Sequence, residues 1–222
     1  MNFAVERLTV GPFQENTWYV IQGESRNGIL IDPGDESEKI VQVIEEIGTT
    51  PVAILNTHAH LDHIGAVKQL QEKYDLPFYL HAKDEFLVEQ YPQHAAMFGV
   101  PMNGIPQVTH YVNEEIDSNS TLSIGDFQIQ VIPTPGHTPG GVSFLFEDEL
   151  FVGDTLFDGS IGRTDLPGGN YNMLMESIVK RLMPLDSDIL VHSGHGPDTT
   201  IGKEQEANPF IQEWRRAHQS VD

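Results

Sequence analysis

Cysteine is absent from this chain of 222 residues, and lysine and arginine are scarce. The first absence removes disulfides, thiolate metal ligands and cysteine nucleophiles at once, so any metal site must be built from histidine and carboxylate. It leaves the redox state of the compartment open. The second absence leaves 12 basic residues against 33 acidic ones, a formal net charge of -21, with no lysine or arginine anywhere from Asp84 to Gly162. Such a surface repels phosphate, so nucleic acid and anionic membranes are excluded as expected partners. The charge itself reads as a solubilising surface or as salt adaptation. Long apolar runs are missing too: nothing approaches the ~18 residues of a membrane helix. Met1-Asn2-Phe3-Ala4-Val5-Glu6-Arg7 has no basic region followed by an apolar stretch, so the expectation is a soluble, unexported, cytoplasmic protein. An apolar content of 39% supports a sizeable core. With no internal repeat and no linker rich in Ser, Pro or charge, a single domain over 1-222 is expected, of open oligomeric state.

What is present in abundance is histidine, concentrated in one place. Thr57-His58-Ala59-His60-Leu61-Asp62-His63-Ile64-Gly65 holds three imidazoles and a carboxylate within six residues. That density has few uses besides metal. His58 and His60 are two apart, so on an extended segment leaving a strand they fall on one side and can share one cation. Asp62 and His63 then face a second position. Zinc and similar borderline metals take imidazole and carboxylate in roughly tetrahedral sets, a catalytic site keeping one place for water. Six residues cannot close two such sites, so further ligands are expected later in the chain. The candidates are His137 in Pro135-Gly136-His137-Thr138, Asp154 in Val152-Gly153-Asp154, and His195 in Ser193-Gly194-His195-Gly196. Each sits beside glycine at a turn, and their joint occurrence carries the argument.

Hydrophobic periodicity gives the frame. Phe3 to Val10, Thr17 to Ile21 and Gly28 to Asp32 read as consecutive strands, punctuated by Gly11-Pro12 and Asp32-Pro33-Gly34. Ile40, Ile44 and Ile47 recur at helical spacing, with Ser37 as cap and Gly48 as stop. Pro51 to Asn56 is a buried strand delivering His58 at its carboxyl end, where open α/β sheets place ligands. Val67, Leu70 and Tyr74 mark a helix with Asp62 and His63 near its start. Phe78 to Leu80 reads as a strand and Ala82 to Glu89 as a short helix. Residues 90-109, interrupted by Gly99, Pro101, Gly104 and Pro106, show no clean period and read as a site rim or a crossover. Leu122 to Ile124, Phe127 to Ile132, Val142 to Phe146 and Leu150 to Val152 form a second group of strands. Asn170 caps a helix marked by Leu174, Ile178 and Leu182, Asp188 to Val191 is the last strand, and Glu204 to Arg216 is helix interrupted at Asn208-Pro209. Strands then helix, twice over, predict a mixed α/β fold: a four-layer αβ/βα sandwich of two mixed sheets face to face with helices outside.

These residues resemble the metallo-β-lactamase superfamily: His58-Ala59-His60-Leu61-Asp62-His63 is similar to its defining motif, and His137, Asp154 and His195 match its later motifs in order. The resemblance covers nearly the whole chain. It implies that His58, His60 and His137 hold one metal, that Asp62, His63 and His195 hold the other, and that Asp154 bridges both. Within the superfamily the chain resembles compact bacterial hydrolases of the glyoxalase II type through Gly153-Asp154-Thr155-Leu156-Phe157, Gly194-His195-Gly196-Pro197, Thr199-Thr200-Ile201-Gly202 and Asn208-Pro209-Phe210. Larger glyoxalase II enzymes add a helical carboxyl-terminal region whose basic residues hold glutathione. Here Lys203, Arg215 and Arg216 are the only cations after His195, which leaves the thiol carrier open. Gly162-Arg163-Thr164-Asp165 also resembles the persulfide dioxygenases of the same fold, mononuclear iron enzymes. Their last ligand is usually followed by Asp, whereas Gly196-Pro197 follows His195 here, and this favours hydrolysis.

The expected chemistry follows. Two divalent ions, with zinc favoured and iron or manganese as alternatives, outweigh Asp62, Asp154 and a metal-bridging hydroxide, leaving a locally cationic pocket on an acidic protein. Coordination brings the pKa of water to around 7, so hydroxide is available at neutral pH to attack a polarised carbonyl. Asp62 and Asp154 are the expected catalytic carboxylates, Asp62 orienting the hydroxide. A thiol with pKa about 8.5 leaves without prior protonation, unlike an amide nitrogen, and this favours a thioester of the S-lactoylglutathione type as substrate. A lactone or β-lactam is the alternative. Arg163, alone among basic residues between Lys83 and Lys180, is the expected grip on a substrate carboxylate, with an ion pair to Asp158 or Asp165 as the competing role.

Overall fold

The turn from Gly11 to Gln14 folds β1 (Phe3–Val10) back along β2 (Glu15–Gln22), with Phe3 opposite Gln22 and Val10 opposite Glu15. This hairpin begins a computed structural model that describes residues 3-112 and 121-218; Met1 and Asn2 of the amino-terminal stretch lie outside the described residues. The described residues group into two units, one of 3-112 with 122-128, the other of 121 with 129-218.

In the first unit β3 (Asn27–Ile31) pairs antiparallel to β2, and three parallel additions follow, each needing a crossover. α1 (Ser37–Ile47) leads to β4 (Thr50–Leu55); α2 (Leu61–Ile64) and α3 (Val67–Tyr74) lead to β5 (Phe78–His81); α4 (Glu85–Phe98) leads to β6 (His110–Val112). The sheet order is therefore β1-β2-β3-β4-β5-β6. β4 lies between two parallel neighbours, which is why Ala53, Ile54 and Leu55 form a continuous apolar run buried on both faces. Ile40 and Ile44 of α1, Val67 and Leu70 of α3, and Leu87, Val88, Tyr91 and Ala95 of α4 close one cluster with Leu30, Ile54 and Leu80.

Three local readings change. The short helix expected over Ala82 to Glu89 runs on to Phe98 as α4, so residues 90-98 are not loop. Leu87, Val88, Tyr91 and Ala95 carry the helical period that Pro92 and the following glycines and prolines hide from inspection. Ser37 is the first residue of α1 rather than its cap; the N-cap is Glu36, in left-handed backbone, without a side-chain capping bond. Asp62 and His63 lie in the separate four-residue α2, not at the start of α3.

The second sheet has the order β14-β13-β10-β9-β8-β7. It contains β7 (Thr121–Ile124), β8 (Phe127–Pro133), β9 (Val142–Phe146), β10 (Glu149–Gly153), β13 (Leu190–Ser193) and β14 (Thr199–Thr200), while β11 (Leu156–Phe157) and β12 (Ser160–Ile161) form a small hairpin of their own. β10 pairs antiparallel with β9 and parallel with β13, so the sheet is mixed, like the first. α5 (Tyr171–Ser177) is capped by the Asn170 side chain, which accepts from the Met173 N–H at 3.0 Å, and it passes into a π turn over Ile178–Leu182. α6 (Ile201–Ala207) and α7 (Pro209–His218) meet at Asn208, the expected interruption. Leu150, Val152 and Val191 of the sheet, Leu174, Ile178 and Leu182 of the α5 region, and Ile201 and Ile211 form the core of this unit. The fold class is the expected one, mixed α/β with two mixed sheets. No helix among the described residues is long and apolar enough to cross a membrane.

Candidate metal centre

β4 ends at Leu55, and the chain then turns through Asn56 and Thr57 to put His58, His60 and α2 beside the carboxyl ends of β3 and β4. The His58 ring centroid lies 4.9 Å from that of His60 and 4.0 Å from that of His63. His58 and His63 are buried, and Asp62 and His60 are half-buried. The turn after β3 must come close for this to happen. A Cβ on Gly34 would lie 1.8 Å from the Asp62 carbonyl oxygen, so only glycine allows the Asp32-Pro33-Gly34 turn to touch α2.

Asp32 sets the protonation pattern of the cluster. Its Oδ1 accepts from the Thr57 N–H at 2.7 Å, and its Oδ2 accepts from the Thr57 hydroxyl at 2.6 Å. His63 Nδ1 lies 3.1 Å from the same Oδ2. A carboxylate only accepts, so His63 carries its proton on Nδ1. The one hydroxyl proton of Thr57 is engaged by Asp32, so Thr57 Oγ1 accepts from His58 Nδ1 at 3.0 Å. Both rings then present Nε2 as a bare lone pair, the form in which imidazole binds a metal. One ligand atom from each of Asp32, His58 and His63 lies within 4.8 Å of the others. Beneath them Glu15 is fully buried; burial pushes its carboxyl well above the usual carboxylate range, opposed by His63 and reinforced by Asp32.

The second unit prepares its own three candidates. His137 follows β8 in a bend closed by Thr134 N–H to the Gly141 carbonyl (2.8 Å) and Gly136 N–H to the Thr138 carbonyl (2.9 Å). Asp154 follows β10, and His195 follows β13. Parallel pairing of these two strands brings their ends together, and Gly194 N–H donates to the Gly153 carbonyl at 2.8 Å. Asp154 Oδ2 lies 3.7 Å from His137 Nε2 and 3.7 Å from His195 Nε2. Two ligands about 2.1 Å from one metal at a tetrahedral angle are roughly 3.4 Å apart, so each separation suits a shared cation better than a direct hydrogen bond. The Arg163 carbonyl accepts from His137 Nδ1 at 2.7 Å, which puts the ring lone pair on Nε2. The donor set, imidazole Nε2 and carboxylate with each fixed tautomer backed by an acceptor, fits a borderline divalent metal.

Each unit thus gathers its own share of the seven expected ligands: His58, His60, Asp62 and His63 in the first, His137, Asp154 and His195 in the second. Arg163 is placed differently from a free clamp. Its guanidinium makes a two-pronged contact with Asp165, Nε and Nη2 each 2.8 Å from a carboxylate oxygen, with both side chains more than half exposed. Asp158 is paired with Lys203 instead, at 2.6 Å. Sequence reading missed Asp32 and Thr57. The signal available was an acidic residue closing the apolar strand Gly28 to Ile31, beside the strand that delivers the histidines.

Comparison with known proteins agrees with this chemistry. The model of the metallo-β-lactamase superfamily matches residues 10–195. The chain is 43% identical over 208 residues to a probable metallo-hydrolase, YqgX, of Bacillus subtilis, covering 92% of this chain and 96% of that protein. It is 39% identical over 210 residues to the hydroxyacylglutathione hydrolase GloC of Haemophilus influenzae, covering 93% and 97%. Among solved structures, the B3 metallo-β-lactamase BLEG-1 superposes with a TM-score of 0.87 at 38% identity, covering 94% of this chain and 99% of that one. TTHA1623 in a di-iron-bound form superposes with a TM-score of 0.81 at 42% identity, covering 92% and 99%.

Proposed function

This chain belongs to the metallo-β-lactamase superfamily, a family of metal-dependent hydrolases, and from that membership we propose that it is a binuclear thioester hydrolase acting on substrates of the S-lactoylglutathione type. His58, His60 and His137 would hold one divalent ion, Asp62, His63 and His195 the second, and Asp154 would serve both. The observation that carries the reading is Asp154 Oδ2 standing 3.7 Å from both His137 Nε2 and His195 Nε2, equidistant from one proposed ligand of each ion. When bound, the ions supply Lewis acidity and bring coordinated water into the neutral pKa range. Zinc is the proposed metal, with iron or manganese as alternatives; the di-iron-bound form of TTHA1623 supports the iron alternative.

The residues themselves orient and hold. Asp62 turns the attacking water towards the carbonyl carbon, and Asp32 keeps His58 and His63 in the ligand tautomer. The leaving thiolate, with a parent pKa of about 8.5, needs no proton from the protein. A relative named hydroxyacylglutathione hydrolase supports the thioester class. The proposal includes a cytoplasmic setting, with a small molecule as partner and neither nucleic acid nor membrane. The test is metal content alongside hydrolysis of S-lactoylglutathione and of neutral thioesters. One metal equivalent after full reconstitution, or oxygen uptake with a persulfide and no thioesterase activity, overturns it. A second reading, β-lactam hydrolysis, is favoured by the B3 lactamase among the similar structures, and a chromogenic cephalosporin in the same panel decides it.

A further inference from the structure

The stretches Thr199-Thr200-Ile201-Gly202 and Asn208-Pro209-Phe210 supply no expected metal ligand, yet with Glu204 they build a buried, hydrogen-bonded polar cluster in the second unit. Glu204 is 1% exposed and Asn208 fully buried. Glu204 Oε1 accepts from the Thr199 hydroxyl at 2.6 Å. Its Oε2 accepts from the Gly159 N–H at 3.0 Å and from Asn208 Nδ2 at 2.8 Å. Asn208 Nδ2 also donates to the Ser160 carbonyl at 3.0 Å, and its Oδ1 receives the N–H of Phe210 at the start of α7. A buried carboxylate is costly unless its acceptors are filled. Here three donors fill them, and two of the bonds that leave the pair end on consecutive residues of the β11–β12 hairpin.

That hairpin joins Asp154 to Arg163. Beyond Ser160, Gly162 N–H donates to the Thr155 carbonyl at 3.3 Å, and a Cβ on Gly162 would fall 1.8 Å from the Asp154 carbonyl oxygen and 3.3 Å from His137 Nδ1. The next residue offers its carbonyl to His137 Nδ1. A carbonyl oriented this way determines both the tautomer and the direction of the ring. We propose that Glu204 and Asn208 are positioning residues for His137, holding the 159-163 segment so that the Arg163 carbonyl meets His137 Nδ1 and Nε2 is left facing Asp154. The proposal deepens the metallohydrolase reading and rests on it only where His137 is called a ligand.

The test begins without metal, so that its failure is separable from failure of that reading. In full-length apoprotein with ¹⁵N-labelled histidine, the His137 Nδ1 proton should be protected from exchange. Glu204→Gln replaces one acceptor oxygen by a donor, and Asn208→Ala removes the bonds to Ser160 and to the Glu204 carboxylate; each should speed that exchange by about tenfold or more, the loss of a charge-assisted hydrogen bond being of that size. Thr199→Val removes a bond of similar length to the same carboxylate without touching the hairpin, and it should change exchange by less than about threefold. Equal effects of Glu204→Gln and Thr199→Val would mean a merely structural cluster and overturn the proposal, as would an unchanged His137 proton in folded Glu204→Gln and Asn208→Ala. Zinc titration then reads the consequence: Glu204→Gln should weaken one of two zinc equivalents by about tenfold, a typical effect of disturbing the group behind a ligand. Faster exchange with zinc affinity intact keeps the positioning role and instead removes His137 from the ligand set.

Discussion

His63 Nδ1 lies 3.1 Å from Asp32 Oδ2, and the same oxygen receives the Thr57 hydroxyl whose own acceptor site faces His58 Nδ1. One carboxylate therefore fixes the tautomers of two imidazoles. Asp32→Asn keeps the size of the side chain but turns one acceptor into a donor, so at least one of the three incoming donors loses its place. Zinc affinity should fall by roughly 10-fold to 100-fold with far-UV circular dichroism unchanged. Thr57→Val, which touches His58 directly and His63 only through Asp32, should cost less. A competition titration with a chromogenic chelator measures both, and wild-type affinity in Asp32→Asn would refute the shared role.

Arg163 and Asp165 provide a second check, because the ion pair and the substrate clamp compete for one guanidinium. The hydrogen bonds from Arg163 hold the Asp165 carboxyl down at about 2, from 3.8. A depressed acid stabilises the folded state above its unfolded pKa, and that contribution disappears as pH falls through about 2. Both groups are exposed, so the pair contributes little to stability near neutrality. Arg163→Ala should accordingly leave Tm at neutral pH almost unchanged, while the Asp165 carboxyl titrates closer to 3.8 in a carbon-detected NMR series. If Arg163 leaves Asp165 to grip an anionic thioester, KM for that substrate should rise by about tenfold and KM for a neutral thioester should not. Equal changes in both would assign Arg163 to the ion pair alone.

These relationships explain what could be read from the chain and what could not. His58, His60, Asp62 and His63 are legible because four ligand-type residues within six positions have no common structural use. Asp154 and His195 are legible as residues following apolar strands at glycine turns. Asp32 is barely so, because it acts on Thr57 and His63 across the parallel β3–β4 pairing, and its one local signal, an acidic residue closing an apolar strand, is shared with ordinary turn formers. The Arg163 carbonyl leaves no trace at all, since a backbone acceptor has no side-chain signature. Glu204 and Asn208 read as helix residues beside a break, although their side chains bond back to residues 159 and 160. In the same way the glycines and prolines from Gly99 onward hide the end of α4, which runs through Pro92 because burial of Tyr91 and Ala95 offsets the lost donor and the crowding of the proline ring.

A pH-dependent prediction comes from His81, at the end of β5. Burial lowers its pKa from 6.5, Lys83 adding to the effect, and its Nδ1 accepts from the Lys83 N–H at 3.1 Å, which requires the neutral ring. The unfolded chain binds the proton more readily, so the contribution of neutral His81 is complete above about 6.5 and declines as pH falls below that value. His81→Asn preserves an acceptor for the capping N–H and cannot titrate. The Tm advantage of wild type over His81→Asn should shrink on going from about pH 7.5 to about pH 5. A constant difference across that range would show that His81 does not titrate differently in the two states.

The final prediction concerns Asp154, the proposed shared ligand. Asp154 Oδ2 is equidistant, at 3.7 Å, from His137 Nε2 and His195 Nε2, so its removal should be felt by both ions, whereas removal of either histidine should be felt chiefly by one. Wild-type protein should take up about two zinc equivalents, the number that pairs of sites in such hydrolases hold. His137→Ala and His195→Ala should each retain about one tight equivalent, and Asp154→Ala should weaken both by at least about 100-fold, beyond the effect of losing a group behind a ligand. The loss would be electrostatic as well as geometric, since a pocket holding two divalent ions would have one compensating anion fewer. Asp154→Asn distinguishes the two contributions, since it keeps an oxygen donor of the same reach but not the charge. Retention of either zinc at wild-type affinity in Asp154→Ala would show that Asp154 serves one ion and that the bridge must be sought elsewhere.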